Sequence, residues 1–127
     1  MSDGARSVPP VATADDVREI CLSFPRAYER EVGGLPKFRV GSYVFAVLSG
    51  DESLLGFAFP REEREGLVAS EPDKFLMPLP SDLRYNWVRL RLAAVDVDEL
   101  RELLTDGWAM CVPKKVSAAY FAGSDTA

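Results

Sequence analysis

The chain contains no histidine and only two cysteines, Cys21 and Cys111. Imidazole is the side chain whose unperturbed pKa lies nearest neutrality, so its absence removes Ser-His-Asp triads, Cys-His dyads and histidine-based zinc sites. Two thiolates without imidazole cannot complete the usual tetrahedral zinc donor set. Glycine signatures of phosphate binding are also missing: no Gly-x-Gly-x-x-Gly follows a strand pattern, and no Gly-x4-Gly-Lys-Ser/Thr occurs. Neither Ser-x-x-Lys nor Gly-x-Ser-x-Gly is present. No cofactor, no metal and no enzymatic activity is expected. Long hydrophobic runs are absent as well. The longest, from Leu54 to Pro60, falls far below the roughly 18 residues of a membrane-spanning helix, so no membrane partner is expected. The chain starts without a basic head and apolar segment, which makes the cytoplasm the expected compartment.

What is present describes a globular domain. The 127 residues are 47% hydrophobic and 28% charged, with 15 basic and 20 acidic side chains for a formal net charge of −5. That balance supports one packed core and excludes a mostly disordered chain. Residues 1–12 are small, polar and proline-bearing and read as a flexible leader; residues 13–121 read as a single domain; residues 122–127 read as a frayed tail.

Thr13 followed by Asp16 forms a capping pattern, and Val17, Ile20, Cys21 and Phe24 recur at helical spacing up to Pro25. Arg26 to Pro36 reads as a polar loop around Gly33-Gly34. Lys37–Val40 and Tyr43–Ser49 read as strands joined by the two-residue turn Gly41-Ser42. Direct pairing from that turn puts Phe38, Val40, Tyr43, Phe45 and Val47 on one face, and Lys37, Arg39, Val44, Ala46 and Leu48 on the other. Ser53–Phe59 is a third strand.

Pro60 opens a short helix that stops by Glu71-Pro72. Residues 71–84, with Pro72, Pro78 and Pro80, form an irregular connection. From Asn86 to Leu92 the alternation is clean, with Val88, Leu90 and Leu92 opposite Trp87, Arg89 and Arg91. Asp96 and Glu99 cap a helix with the stripe Val97, Leu100, Leu104, Trp108 and Cys111, and Val116–Phe121 adds one short turn. The order α-β-β-β-α-β-α implies an α+β fold of two layers, an antiparallel sheet with helices mainly on one face. Both cysteines fall on apolar stripes, as buried small hydrophobes do.

Charge is unevenly placed. Residues 37–49 and 84–95 hold Lys37, Arg39, Arg84, Arg89 and Arg91 and no acid, whereas the rest of the chain carries ten basic and twenty acidic side chains. If the two basic strands are neighbours, Lys37, Arg39, Trp87, Arg89 and Arg91 form one cationic face suited to DNA, with the tryptophan as a stacking platform. The bland account of the same residues is a wet sheet face, where long basic stems cover neighbours such as Val44 and Leu48. The clusters Asp15-Asp16, Asp51-Glu52, Glu62-Glu63 and Asp96-Asp98-Glu99 sit at helix starts and turns, where capping and solvation explain them.

Cys21-Leu-Ser-Phe-Pro-Arg-Ala-Tyr-Glu29, Pro36-Lys-Phe-Arg-Val-Gly41 with Val44-Phe45-Ala46, Trp87-Val-Arg-Leu-Arg-Leu92, Asp96 to Leu104 with Trp108, and Pro113-Lys-Lys115 together resemble the MmcQ/YjbR-like family over roughly residues 13–121. That resemblance implies a small fold like the type III secretion chaperones, and a customary description as DNA-binding with no catalytic residues. Leu35, Tyr43 and Tyr85 stand where the family pattern carries a histidine, a lysine and a histidine. Two functions follow: a non-enzymatic module that binds DNA through Lys37, Arg39, Trp87, Arg89 and Arg91, or an adaptor-like module for an unidentified protein or small ligand, docked beside the proline-rich connection.

Overall fold

Apolar residues alternating at period two along four segments demand a sheet with one covered face, and the three amphipathic helices supply the cover. The structure, a computed structural model, describes residues 10–126. Its elements run α1 (Ala14–Ser23), β1 (Ala27–Val32), β2 (Leu35–Val40), β3 (Tyr43–Leu48), β4 (Leu54–Ala58), α2 (Arg61–Ser70), β5 (Phe75–Leu76), β6 (Trp87–Arg91), α3 (Val97–Met110) and α4 (Lys114–Thr126). The strands form one antiparallel sheet in the order β1-β2-β3-β4-β6-β5. This is the expected α+β fold.

Local chemistry fixes the ends. At α1 the Thr13 hydroxyl accepts from the Asp16 N–H while Asp16 accepts from the Thr13 N–H, a reciprocal cap. At α3 the Asp96 carboxylate accepts from the Glu99 N–H at 2.8 Å. Phe38, Phe45, Leu48, Leu55, Phe57, Val88 and Leu90 of the sheet meet Val17, Ile20, Cys21, Leu100, Leu104 and Trp108 of the helices in one core. Trp108 stacks on Phe24 with ring centroids 5.3 Å apart, meets Tyr120 of α4 at 5.0 Å, and donates its indole N–H to the Pro25 carbonyl at 3.0 Å. Gly107 lets α3 approach the sheet: a Cβ there would lie 2.9 Å from the Ala58 carbonyl oxygen.

Four expectations need correction. The polar loop between Arg26 and Pro36 contains β1, which forms a hairpin with β2. Its two-residue turn is Gly33-Gly34, both at positive φ (61° and 82°), as a tight hairpin requires. Beyond Ala27 every residue of β1 is exposed, so no buried alternation announces it. In the second hairpin a bulge interrupts the register: Val40 faces Tyr43 and Arg39 faces Val44, but Phe38 faces Ala46 and Lys37 faces Val47. Ala46 and Leu48 therefore join Phe45 in the core, while Val47 moves to the outer face beside Lys37.

The other two concern the connections. The proline-rich one holds the short strand β5, and α2 begins at Arg61 with Pro60 as its N-cap. The last turn expected over Val116–Phe121 is part of a 13-residue helix. Residues 1–9 of the expected leader lie outside the described residues. Just after them Val11 bridges Asp96, and the Ala12 N–H donates to the Val95 carbonyl.

Candidate binding groove

The face of the sheet opposite the core carries the candidate site, reached at its rim by the C-terminal end of α3. Lys37 pairs with Val47, Val47 with Gly56, and Gly56 with Arg89. Directly opposed residues share a face, so these four form one row across β2, β3, β4 and β6. The alternation of β6 adds Trp87 and Arg91 to that face, and the Arg39–Val44 pair adds Arg39. All five residues expected from sequence thus share one face, but not as neighbours. Strands β3 and β4 separate β2 from β6, so three interstrand steps put Lys37 roughly 14 Å from Arg89. The continuous cationic patch expected from adjacent strands is instead two basic margins beside an apolar trough.

That trough is a groove of about 1000 Å³. Val44, Val47, Leu54 and Gly56 form its floor; Leu35, Lys37 and Tyr43 stand on one side, and Leu79, Tyr85, Trp87 and Arg89 on the other. Ala58, Met110 and Cys111 line it as well. Gly56 is essential to the shape, because a Cβ there would meet the Trp87 Nε1 at 2.7 Å and two ring carbons at 3.0 Å. The indole lies against the bare backbone of β4, diagonal to its own partner Ala58. Leu35, Tyr43 and Tyr85, the positions where this chain departs from the pattern it resembles, all line the groove.

The margins are not neutralised. Among the described residues no carboxylate lies within ion-pair distance of Lys37, Arg39, Arg89 or Arg91, while Arg18 and Lys74 elsewhere each pair with at least two acids. Arg89 donates from Nε to the Met77 carbonyl at 3.0 Å, which anchors the side chain where it lines the groove. Arg39 reaches the Ser42 carbonyl at 3.3 Å near the β2–β3 turn, and its buried Nε has no partner among the described residues. Arg91 is exposed beyond the groove lining. The one carboxylate in the lining is Asp82. Lys37, Trp87 and Arg89 therefore line the groove, and Arg39 and Arg91 flank it.

Sequence reading missed Arg64. It sits within the charged run Arg61-Glu-Glu-Arg-Glu65, which reads as solvated, yet it is 6% exposed. Its guanidinium donates to the carbonyls of Leu83 at 2.8 Å, Tyr85 at 3.0 Å and Trp87 at 3.1 Å. One buried cation from α2 thereby holds the segment that builds the tryptophan side of the groove. Its spacing to Leu67 and Val68, i+3 and i+4, was the available signal that Arg64 faces inward. Arg61 adds a second tie, its guanidinium to the Arg84 carbonyl and its N–H to the Asn86 side chain.

Burial pushes the thiols of Cys21 and Cys111 up, away from thiolate formation. Among the described residues no three His, Cys, Asp or Glu side chains gather as a metal site, and no helix is long and apolar enough to cross a membrane. A sheet with one helix-covered face and one open, cation-edged face defines a small two-layer α+β domain.

Comparison with known proteins places that domain in a family. The YjbR family profile matches residues 22–110, so the chain belongs to the YjbR family. Uncharacterized protein Rv2570 of Mycobacterium tuberculosis and uncharacterized protein Mb2600 of Mycobacterium bovis are each 38% identical over 58 residues, 46% of this chain. The chain spans 44% of the length of these curated relatives. The crystal structure of Deinococcus radiodurans protein DR2400, a DUF419 domain, superposes with a TM-score of 0.68 at 24% identity, over 80% of this chain and 79% of that one. At that identity the likeness is one of fold.

Proposed function

We propose that the chain is a non-enzymatic binding module that holds nucleic acid on the open face of its sheet. The observation that carries this reading is the row Lys37–Val47–Gly56–Arg89, a cation at each end of an apolar trough with no carboxylate of the described residues in ion-pair range. Phosphates answer the cations and base faces answer the trough. The rest of the molecule is acidic, so attraction is local rather than a product of net charge. The absence of histidine and the raised thiols support a role without catalysis.

Anisotropy titrations of labelled DNA at increasing salt test the reading. Binding should weaken with salt, with a log–log slope of about −2 to −4 if three or four phosphates are neutralised. Charge reversal at Arg89 and Arg91 should weaken it at every salt concentration. No binding to single- or double-stranded DNA at low salt sinks the proposal. A second reading, an apolar, acidic protein segment, draws on the exposed rim of Tyr43 (65%), Leu79 (52%) and Tyr85 (50%). Competition by such a segment, without competition by DNA, would favour it.

A further inference from the structure

We infer that the groove takes one strand of nucleic acid with its bases turned inward, and that Trp87 is the base-stacking platform. The inference rests on the nucleic-acid reading and names its substrate class.

The argument is geometric. Duplex DNA presents phosphates outward and is read by elements that protrude into its grooves. Here the cations stand at the margins of a concavity, and the middle is Val44, Val47 and Gly56, with nothing to insert. A duplex spanning the margins would leave that apolar floor facing its phosphates. A single strand can do the reverse, with splayed bases over the floor and phosphates on Lys37 and Arg89. The glycine at 56 permits this, because it lets the half-buried indole lie close against the sheet at the groove lining. Trp87 is half-buried and its indole N–H has no acceptor among the described residues, unlike that of Trp108. Tyr43 and Tyr85 add aromatic surface on opposite sides.

The experiment compares four probes on the full chain: a single-stranded oligonucleotide, its duplex, an abasic strand with the same number of phosphates, and polyglutamate of similar charge. Because Trp108 is wholly buried, a change in tryptophan emission on binding reports Trp87. The expected result is at least tenfold tighter binding of the single strand than of duplex or abasic strand, with quenched emission. Loss of one base–aromatic stack corresponds to roughly five- to a hundredfold in affinity. Trp87→Ala should therefore lose binding in that range and abolish the quenching, and Trp87→Phe should restore part of the affinity without it. Gly56→Ala, which displaces the indole, should weaken the single strand more than the abasic one.

Equal binding of duplex or abasic strand, or binding without quenching, overturns this inference and leaves nucleic-acid binding standing. Equal binding of polyglutamate also overturns it, in favour of an acidic protein partner. Failure of every nucleic-acid probe overturns both it and the reading on which it rests.

Discussion

Trp87 and Trp108 are the same side chain in opposite circumstances. Trp108 belongs to the covered side, enclosed by Phe24 and Tyr120 and hydrogen-bonded to Pro25. Trp87 belongs to the open side, laid on Gly56 at the Arg89 margin of the groove. One sheet thus buries one face in the core and leaves the other open, the face on which we propose a ligand is held. Substitutions should separate these tasks.

The largest effect is expected at the core. Trp108→Ala should cost about 3–5 kcal/mol of stability by urea unfolding, because it empties a large volume and removes a hydrogen bond. Trp87→Ala should change stability by no more than roughly 1 kcal/mol, while any oligonucleotide binding falls. Equal losses of stability at the two positions would break the comparison.

Arg64→Met tests the join between the two sides. It orphans three carbonyls at Leu83, Tyr85 and Trp87, for an expected loss of roughly 1–3 kcal/mol. It should also raise acrylamide quenching of Trp87. Unchanged quenching would show that the segment holds without its buried cation.

Helix glycines sharpen the contrast further. Gly107→Ala places a methyl 2.9 Å from the Ala58 carbonyl and should destabilise by roughly 1–3 kcal/mol despite the better helix propensity. Gly66, in α2, has nothing within 4 Å of its missing Cβ, so Gly66→Ala should stabilise by up to about 1 kcal/mol. Thermal melts of the pair decide the matter by sign.

The alternating strand β6, both helix caps and the core stripe of α3 were legible in the sequence because each is a local pattern. Non-local choices were not. Nothing in the basic strands says that β3 and β4 run between them, and nothing in Tyr28-Glu-Arg-Glu31 marks a strand exposed on both faces. The bulge at Phe45 was hidden because a residue inserted in one strand leaves no trace in its alternation until the partner is known. The best sign of β1 was Gly33-Gly34, which two-residue hairpins favour. Of the candidate site, the common face of the five expected residues was readable; the trough between them and Arg64 beneath it depend on tertiary contacts.

The smallest expected effect lies at the β3–β4 turn. Hydrogen bonds from Ser53 and Ser49 hold the Asp51 carboxyl below its usual value. A depressed carboxylate contributes stability above its unfolded pKa, near 4, and loses it as the pH falls through the lower folded value. Asp51→Asn should therefore flatten the acid limb of a stability–pH curve slightly and leave neutral pH almost unchanged.

The exposed strand β1 has a consequence for how copies of this chain meet. A two-fold-related copy adding antiparallel to β1 sets residues of equal parity opposite one another. Centred on Arg30, that opposes Arg30 to itself and Glu29 to Glu31; centred on Glu29, it opposes Glu29 to itself. Either arrangement juxtaposes like charges along a free edge, and the other edge, β5, is two residues long. Sideways growth of the sheet is discouraged at both borders.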